Sequence, residues 1–237
     1  METIEPALYL IPVTLGETPL QQVLPEYNLE IIHGIRHFIV EEIRTARRFL
    51  KQVDKAIDID TLTFYTLNEH TDSKEIESYL LPLANKEPVG IISEAGCPAI
   101  ADPGADAVCL AQAKGYRIIP LVGPSSILLS LMASGFNGQS FAFNGYLPIE
   151  ENKRITAIKE LEQKVYNCGQ TQIFIEAPYR NNNLTASLLK NLRPGTKLCI
   201  ATDITCQDQS IKTHYVSEWR QIKPELPKVP AIFLIYR

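Results

Sequence analysis

The chain has 237 residues, 45% of them hydrophobic and 21% charged, enough for a core of ordinary density in one large domain or two small ones. No stretch reaches the roughly 18 uninterrupted apolar residues of a membrane-spanning helix, and a formal net charge of -4 argues against holding nucleic acid mainly by counterion release along a long backbone. The five cysteines are scattered and never spaced CxxC, and the four histidines do not cluster, so neither a disulfide framework nor a metal site is expected.

The acidic start, Met1-Glu2-Thr3-Ile4-Glu5-Pro6, lacks the basic segment and small-residue cleavage site of a signal peptide, and a cytoplasmic protein is expected. Short runs rich in β-branched, Leu or aromatic residues predict strands over 8–13, 38–41, 62–66, 89–93 and 117–122. Helical patterns fall between them at 44–53, 73–81 and 105–114, the last closed by Gly115. This alternation implies parallel strands joined by crossover helices. A small apolar helix follows at 125–134, and the pattern then changes. Strands at 140–143, 172–176, 197–201, 213–216 and 231–236 surround only two long helical patterns, 152–166 and 180–192. The expected architecture is therefore two α/β domains. The N-terminal one (1–123) has a mostly parallel sheet, 124–139 form a connecting helix or linker, and the C-terminal one (140–237) has a mixed sheet.

Loops after strands carry the special-conformation residues. The densest is Ser93-Glu94-Ala95-Gly96-Cys97-Pro98-Ala99-Ile100-Ala101-Asp102-Pro103-Gly104, placed where open α/β sheets bind ligands. The alternative is a structural strand-to-helix turn. Added bulk at Gly96 is expected to fill a ligand site rather than the core. Gly123-Pro124-Ser125-Ser126 repeats the arrangement, although capping its own helix is the commoner use of a residue placed like Ser125. Two more loops are Phe143-Asn144-Gly145-Tyr146-Leu147-Pro148 and Ile175-Glu176-Ala177-Pro178-Tyr179-Arg180. The P-loop, GxGxxG, GxSxG and zinc-hydrolase patterns are all missing, which argues against a nucleotide triphosphatase or an NAD enzyme.

In order, these loops resemble the tetrapyrrole-methylase superfamily, most closely its bacterial branch that methylates a ribose 2'-hydroxyl of small-subunit ribosomal RNA. The segment from Ser93 to Gly104 is similar to that branch's S-D-A-G-T-P-x-I-x-D-P-G, with Glu94 for Asp and Cys97 for Thr. Gly123 to Ser126 is similar to the P-G-x-S/P-S/A loop, and Phe141 to Pro148 to F-x-F-x-G-F-L-P. Four further matches are partial. Glu41-Glu42-Ile43-Arg44 has Ile43 where E-D-T-R has Thr, and Asn68-Glu69-His70-Thr71-Asp72 lacks the first His of H-E-H-N-E. Tyr179 replaces His in Y-E-S-P-H-R, and Ala201-Thr202-Asp203-Ile204-Thr205 loses the Arg of A-R-E-L-T.

The resemblance implies an S-adenosylmethionine-dependent methyltransferase, a homodimer with the cofactor in a cleft between its two domains. It points to Ser93, Glu94, Ala95, Gly96, Cys97, Ile100, Gly123, Ser125, Ser126, Phe143, Gly145, Tyr146, Glu176, Ala177, Ala201, Thr202, Pro230 and Ala231 as cofactor-binding. For an alcohol acceptor a base must take the proton, and the candidates are Glu42, Glu69, His70 and Glu176. Against each stands a plainer role: ion-pair partner of Arg44, surface residue or structural acceptor. Arg44, Arg47, Arg48 and Lys51 have helical spacing and are expected on one face, where they would grip RNA phosphates, with Tyr179 and Arg180 as further substrate contacts. The expected acceptor is ribosomal RNA or the small ribosomal subunit. The alternatives are a tetrapyrrole-like small molecule, or a member that binds the cofactor without turnover.

Overall fold

The computed structural model describes residues 4–68 and 70–237. Contacts divide the chain into two compact units, Met1–Ser125 and Ser126–Arg237. In chain order the first contains β1 (Leu8–Ile11), α1 (Leu20–Val23), α2 (Glu26–His33), β2 (His37–Val40), α3 (Ile43–Val53), a 3-10 turn at Ile59–Thr61, β3 (Thr63–Thr66), α4 (Ser73–Tyr79), α5 (Leu81–Ala84), β4 (Val89–Ile92), α6 (Gly104–Ala113) and β5 (Ile118–Pro120). The strands form one parallel sheet in the order β3-β2-β4-β1-β5.

Alternation along each strand divides the core. Tyr9, Ile11, Phe38, Val40 and Ile92 face α1, α2 and α3, where Leu20, Ile31, Ile32, Ala46, Phe49 and Leu50 meet them. Leu8, Ile39, Val89 and Ile91 point the other way, against Ile76, Tyr79, Leu80 and Leu83 of α4 and α5 and Ala107 and Ala111 of α6. Handedness explains the sorting. Connections from β1 and β2 run toward the β3 edge, those from β3 and β4 toward the β5 edge, and right-handed crossovers then place their helices on opposite faces. Strand β4 thus lies between β2 and β1, whose connections both leave on the face opposite to its own. Loops diverge at both flanks of its carboxyl end, the arrangement that opens ligand crevices in such sheets.

Helix α3 shows why the local sequence folds this way. Ala46, Phe49 and Leu50 recur at helical spacing and are buried. Glu42 caps its start, its carboxylate accepting from Arg44 N at 3.0 Å. Asp72 does the same for α4, accepting from Lys74 N and Glu75 N. Helices α1 and α2 are absent from the sequence reading. Each is preceded by a proline, Pro19 or Pro25, without a side-chain cap, and Leu20, Ile31 and Ile32 bury them against the sheet.

The second unit holds α7 (Ser126–Ser134), β6 (Phe141–Tyr146), α8 (Glu151–Cys168), β7 (Thr171–Glu176), a 3-10 turn at Pro178–Arg180, α9 (Asn181–Asn191), β8 (Lys197–Thr202), β9 (Ser210–Tyr215), α10 (Val216–Ile222) and β10 (Ala231–Tyr236). Its sheet runs β6-β7-β10-β8-β9, with β6 and β7 parallel and the other neighbours antiparallel, so it is mixed as expected. Helices α8, α9 and α10 cover one face, where Ile158, Leu188 and Trp219 pack on Phe174, Leu198 and Phe233. Helix α7 lies on the other, where Thr213 Oγ1 donates to Ser134 O at 3.0 Å. Residue 216, expected to end a strand, instead begins α10, because the Glu218 carboxylate accepts from Tyr215 N at 2.9 Å and Val216 and Trp219 are buried.

Candidate functional site

In the first unit, the last paired row of the sheet is Val40, Thr66, Ile92 and Ile11. The next residues, Glu41, Leu67, Ser93 and Pro12, begin the carboxyl-end loops. The β4 loop is tied back on itself. Ser93 Oγ donates to Gly96 O at 3.0 Å, and Val13 N donates to the same carbonyl at 3.0 Å, joining the β1 and β4 loops. Ala99 N and Gly104 N both donate to Asp102 Oδ1, at 2.8 and 2.7 Å. That carboxylate holds a backbone that turns left-handed at Ala99 (φ 64) and Ala101 (φ 59), a strained pair for residues with a Cβ.

Two glycines are required here. Gly96 has φ +71, and a Cβ on it would lie 2.9 Å from Leu15 Cδ2 and 3.2 Å from Pro124 O. A side chain at Gly96 would thus meet loop atoms of Leu15 and Pro124 rather than the core, in a left-handed conformation that is itself strained for a residue with a Cβ. Gly123 brings the β5 turn so close to β1 that a Cβ would lie 2.3 Å from the Pro12 ring. Cys97 Sγ sits 3.4 Å from Pro124 O, and burial pushes its thiol up, away from the reactive thiolate. Glu94, Ala95 and Ile100 are exposed on the loop, and Val122 beside Gly123 is 72% exposed.

Glu41, which the sequence reading did not name as a candidate base, is among the described residues one of two carboxylates at this end of the sheet whose proton affinity is raised, Asp102 being the other. Partial burial raises its pKa, the Asp102 and Glu94 carboxylates raise it further, and a hydrogen bond from Glu94 N works the other way. Asp102 is also raised, by desolvation first, against the pull of its bonds from Gly104 and Ala99. The signals available in sequence were its place in the partial E-D-T-R match and its position, one residue past β2 and one before a helix cap. Of the expected bases, Glu42 is that cap and is exposed. Glu69 lies outside the described residues. His70 is exposed on the loop after β3, its backbone N donating to Asn68 Oδ1 at 2.9 Å.

In the second unit, register gathers the remaining residues. Ala231 stands opposite Glu176 on one side and Thr202 on the other, and Tyr146 is paired with Ile175 beyond a bulge in β6 that contains Gly145. Pro230 O accepts from Asp203 N at 3.0 Å in the adjoining loops. Tyr146, Glu176, Ala177, Ala201, Thr202, Pro230 and Ala231 thus cluster at one end of the mixed sheet, while Phe143 pairs with Ile173 further in. Glu176 is buried and committed. Its Oε1 accepts from Ala177 N at 2.8 Å and from Arg180 Nε and Nη2 at 2.8 and 2.6 Å, so it holds Arg180. Arg180 in turn reaches the hydroxyl of Tyr179, which is 70% exposed, at 3.1 Å. Ser126 opens α7, and Ser125 precedes it.

The basic residues of α3 are all exposed, but their side chains diverge. The Arg47 guanidinium lies 5.4 Å from the centre of the Phe64 ring, toward β3. Lys51 Nζ donates to Lys55 O and Ile57 O at 2.9 and 2.6 Å, past the helix end. Arg48 instead lines a cavity between α3 and the β1 loop. Among the described residues no group of three or more His, Cys, Asp or Glu is placed to hold a metal ion, and no helix is long and apolar enough to cross a membrane.

No family model matches the chain. It is 26% identical over 207 residues to a protein named Ribosomal RNA small subunit methyltransferase I from Vibrio cholerae, covering 87% of this chain and 68% of that protein. A protein of the same name from Mesorhizobium japonicum is 29% identical over 213 residues, covering 89% and 67%. One from Escherichia coli O157:H7 is 25% identical over 198 residues, covering 84% and 65%. The chain spans about two thirds of the length of these relatives. Among solved structures, the methyltransferase CobJ superposes with a TM-score of 0.63 at 14% identity, covering 98% of this chain and 94% of that one. Uroporphyrin-III C-methyl transferase from Thermus thermophilus, complexed with S-adenyl homocysteine, gives 0.58 at 15% identity, covering 98% and 97%. The two-sheet α/β fold is shared with both.

Proposed function

We propose that this chain, which has the fold of the tetrapyrrole methylases and is related in sequence to the small-subunit methyltransferase I proteins, is an S-adenosylmethionine-dependent methyltransferase acting on a ribose 2'-hydroxyl of small-subunit ribosomal RNA. The observation that carries the reading is the β4 loop. It is a backbone cradle with two left-handed alanines, held by Asp102 where the connections of neighbouring strands diverge. Its residues fit the group. Gly96 brings the β4 loop against the Pro124 carbonyl, Gly123 brings the β5 turn against Pro12, and Ile100 and Val122 present exposed apolar side chains.

S-adenosylmethionine would supply a methyl group activated by an adjacent sulfonium. Ser93 to Cys97, Ile100, Gly123 and Ser125 of the first unit would hold it; the resemblance also points to Ser126 and the Glu176, Thr202 and Ala231 rows of the second. The chain's remaining task is to align a hydroxyl and take its proton while water is kept away. We assign that proton to the Glu41 carboxylate, whose affinity for it is raised by burial and by the Asp102 and Glu94 charges. Glu176 serves by fixing Arg180 and, through it, Tyr179.

The test is transfer of labelled methyl groups from S-adenosylmethionine to small ribosomal subunits taken from cells lacking the gene, followed by alkaline hydrolysis of the RNA. The expected product resists cleavage at one phosphodiester, because its 2'-oxygen is blocked. Label recovered only on a tetrapyrrole, or none at all, overturns the acceptor assignment.

A further inference from the structure

We propose that the cavity on the α3 side of β4 is a subsite for one nucleotide of single-stranded RNA beside the reacting one, with its base on the cavity floor and its phosphate on Arg48. The inference rests on the RNA reading above and adds to it a named position.

The cavity, about 530 Å³, arises from the crossover pattern. The β1 connection leaves on the α3 face while the β4 connection leaves on the other, so the β1 loop, α3 and the start of the β4 loop line a space at the carboxyl end of β4. Such a volume lies within the range of small-molecule sites. Val13, Ala46, Phe49 and Ile92 make an apolar floor, and all four are buried. The rim is polar and of mixed sign: Arg48 and Gln52 along the helix, Glu94 at the end of β4, and Glu17 on the β1 loop.

Two rim groups have unused capacity. Arg48 has no ion pair or hydrogen bond among the described residues, whereas Arg47 lies over Phe64 and Lys51 caps carbonyls. The Glu94 carboxylate is fixed by Thr45 Oγ1, which donates to Oε1 at 2.6 Å, leaving Oε2 without a partner among the described residues. A guanidinium suits a phosphate, and a held carboxylate suits the N–H edge of a base. This pairing selects among ligands. A tetrapyrrole with several carboxylates would meet one cation and two acidic chains, and a polyamine would meet Arg48. A nucleotide offers an anion, a flat apolar face and N–H donors together, and unstacked bases of single-stranded RNA are available for such a site. Because Glu94 and Ser93 belong to both the cavity and the β4 loop, its occupant lies next to the reaction centre.

The experiment has three readouts. Methyl transfer by the wild type to subunits lacking the modification tests the RNA reading alone. Amide shift changes on adding CMP, AMP, GMP and UMP separately test the cavity without turnover, and are expected at Thr45, Arg48, Phe49 and Glu94. The variants Arg48→Ala and Gln52→Trp, the second covering the mouth from an exposed helix position, are expected to raise KM for the subunit about tenfold, and Arg48→Ala to leave calorimetric S-adenosylmethionine affinity unchanged. If the wild type methylates RNA but both variants keep its KM, or the nucleotide shifts fall elsewhere, the subsite is overturned and the RNA reading stands. If nucleotides map to the cavity and are displaced by Gln52→Trp while no RNA is methylated, the nucleotide site is upheld and the RNA reading falls.

Discussion

Glu41 is pressed in two directions, because the partial burial and neighbouring carboxylates that raise its proton affinity also make its ionised form costly to the fold. The sign follows from linkage. A folded-state pKa above the ordinary 4.5 means that stability is fully present below that value and is lost as pH rises through the folded one. Glu41→Gln is therefore expected to unfold at higher denaturant concentration than wild type at neutral pH, with the difference vanishing below the ordinary carboxylate range. The same change should slow methyl transfer by about 10² to 10⁴, the usual contribution of a general base. Stabilisation and inactivation together would mark a residue kept for chemistry. Transfer at the wild-type rate would return Glu41 to the solvated acids. Gly123→Ala is expected to lower stability by about 1–3 kcal/mol, since the Pro12 ring must be pushed aside, and an unchanged urea midpoint would refute the close approach.

At the scale of elements, the parallel strands were legible because strands covered on both faces read as short apolar runs, and their loops because glycine and proline punctuate them. Helices α1, α2 and α10 were not, being short and held by what Leu20, Ile32 and Trp219 pack against rather than by cap residues before their first turn. The cofactor loops could be read as contiguous motifs. Glu41 also stood in one, but its raised proton affinity was not legible, since the Asp102 charge that helps raise it belongs to a different loop brought near by the β2–β4 pairing. Helix α3 invites its own prediction. Replacing Arg44 and Arg47 by Ala should lower the slope of log affinity for single-stranded RNA against log salt by roughly 1.4, the share of two phosphate contacts; equal slopes for mutant and wild type would reduce the helix to a solvated face. In the second unit, Phe233→Ala should cost about 3–5 kcal/mol by calorimetry, because its ring is fully buried and stacked 6.0 Å from Phe174.

For the whole molecule, each hydrophobic cluster draws on residues of one unit alone. Residues 126–237 expressed by themselves are therefore expected to fold cooperatively, and Trp219, the single tryptophan, would report their unfolding by fluorescence; a spectrum of solvent-exposed tryptophan from that fragment would refute it. The Lys51 ammonium, bound to two backbone carbonyls, bears on how long an encounter with RNA lasts. With two of its three N–H donors held past the helix end, Lys51 is the least available cation, and α3 offers three guanidiniums from a chain of net charge -4. Three phosphate contacts give a salt slope near -2, so RNA affinity through this helix falls about twentyfold between 50 and 200 mM salt. If the acceptor is ribosomal RNA, as proposed, retention on the particle by charge would be brief, and release of the product would need no separate device.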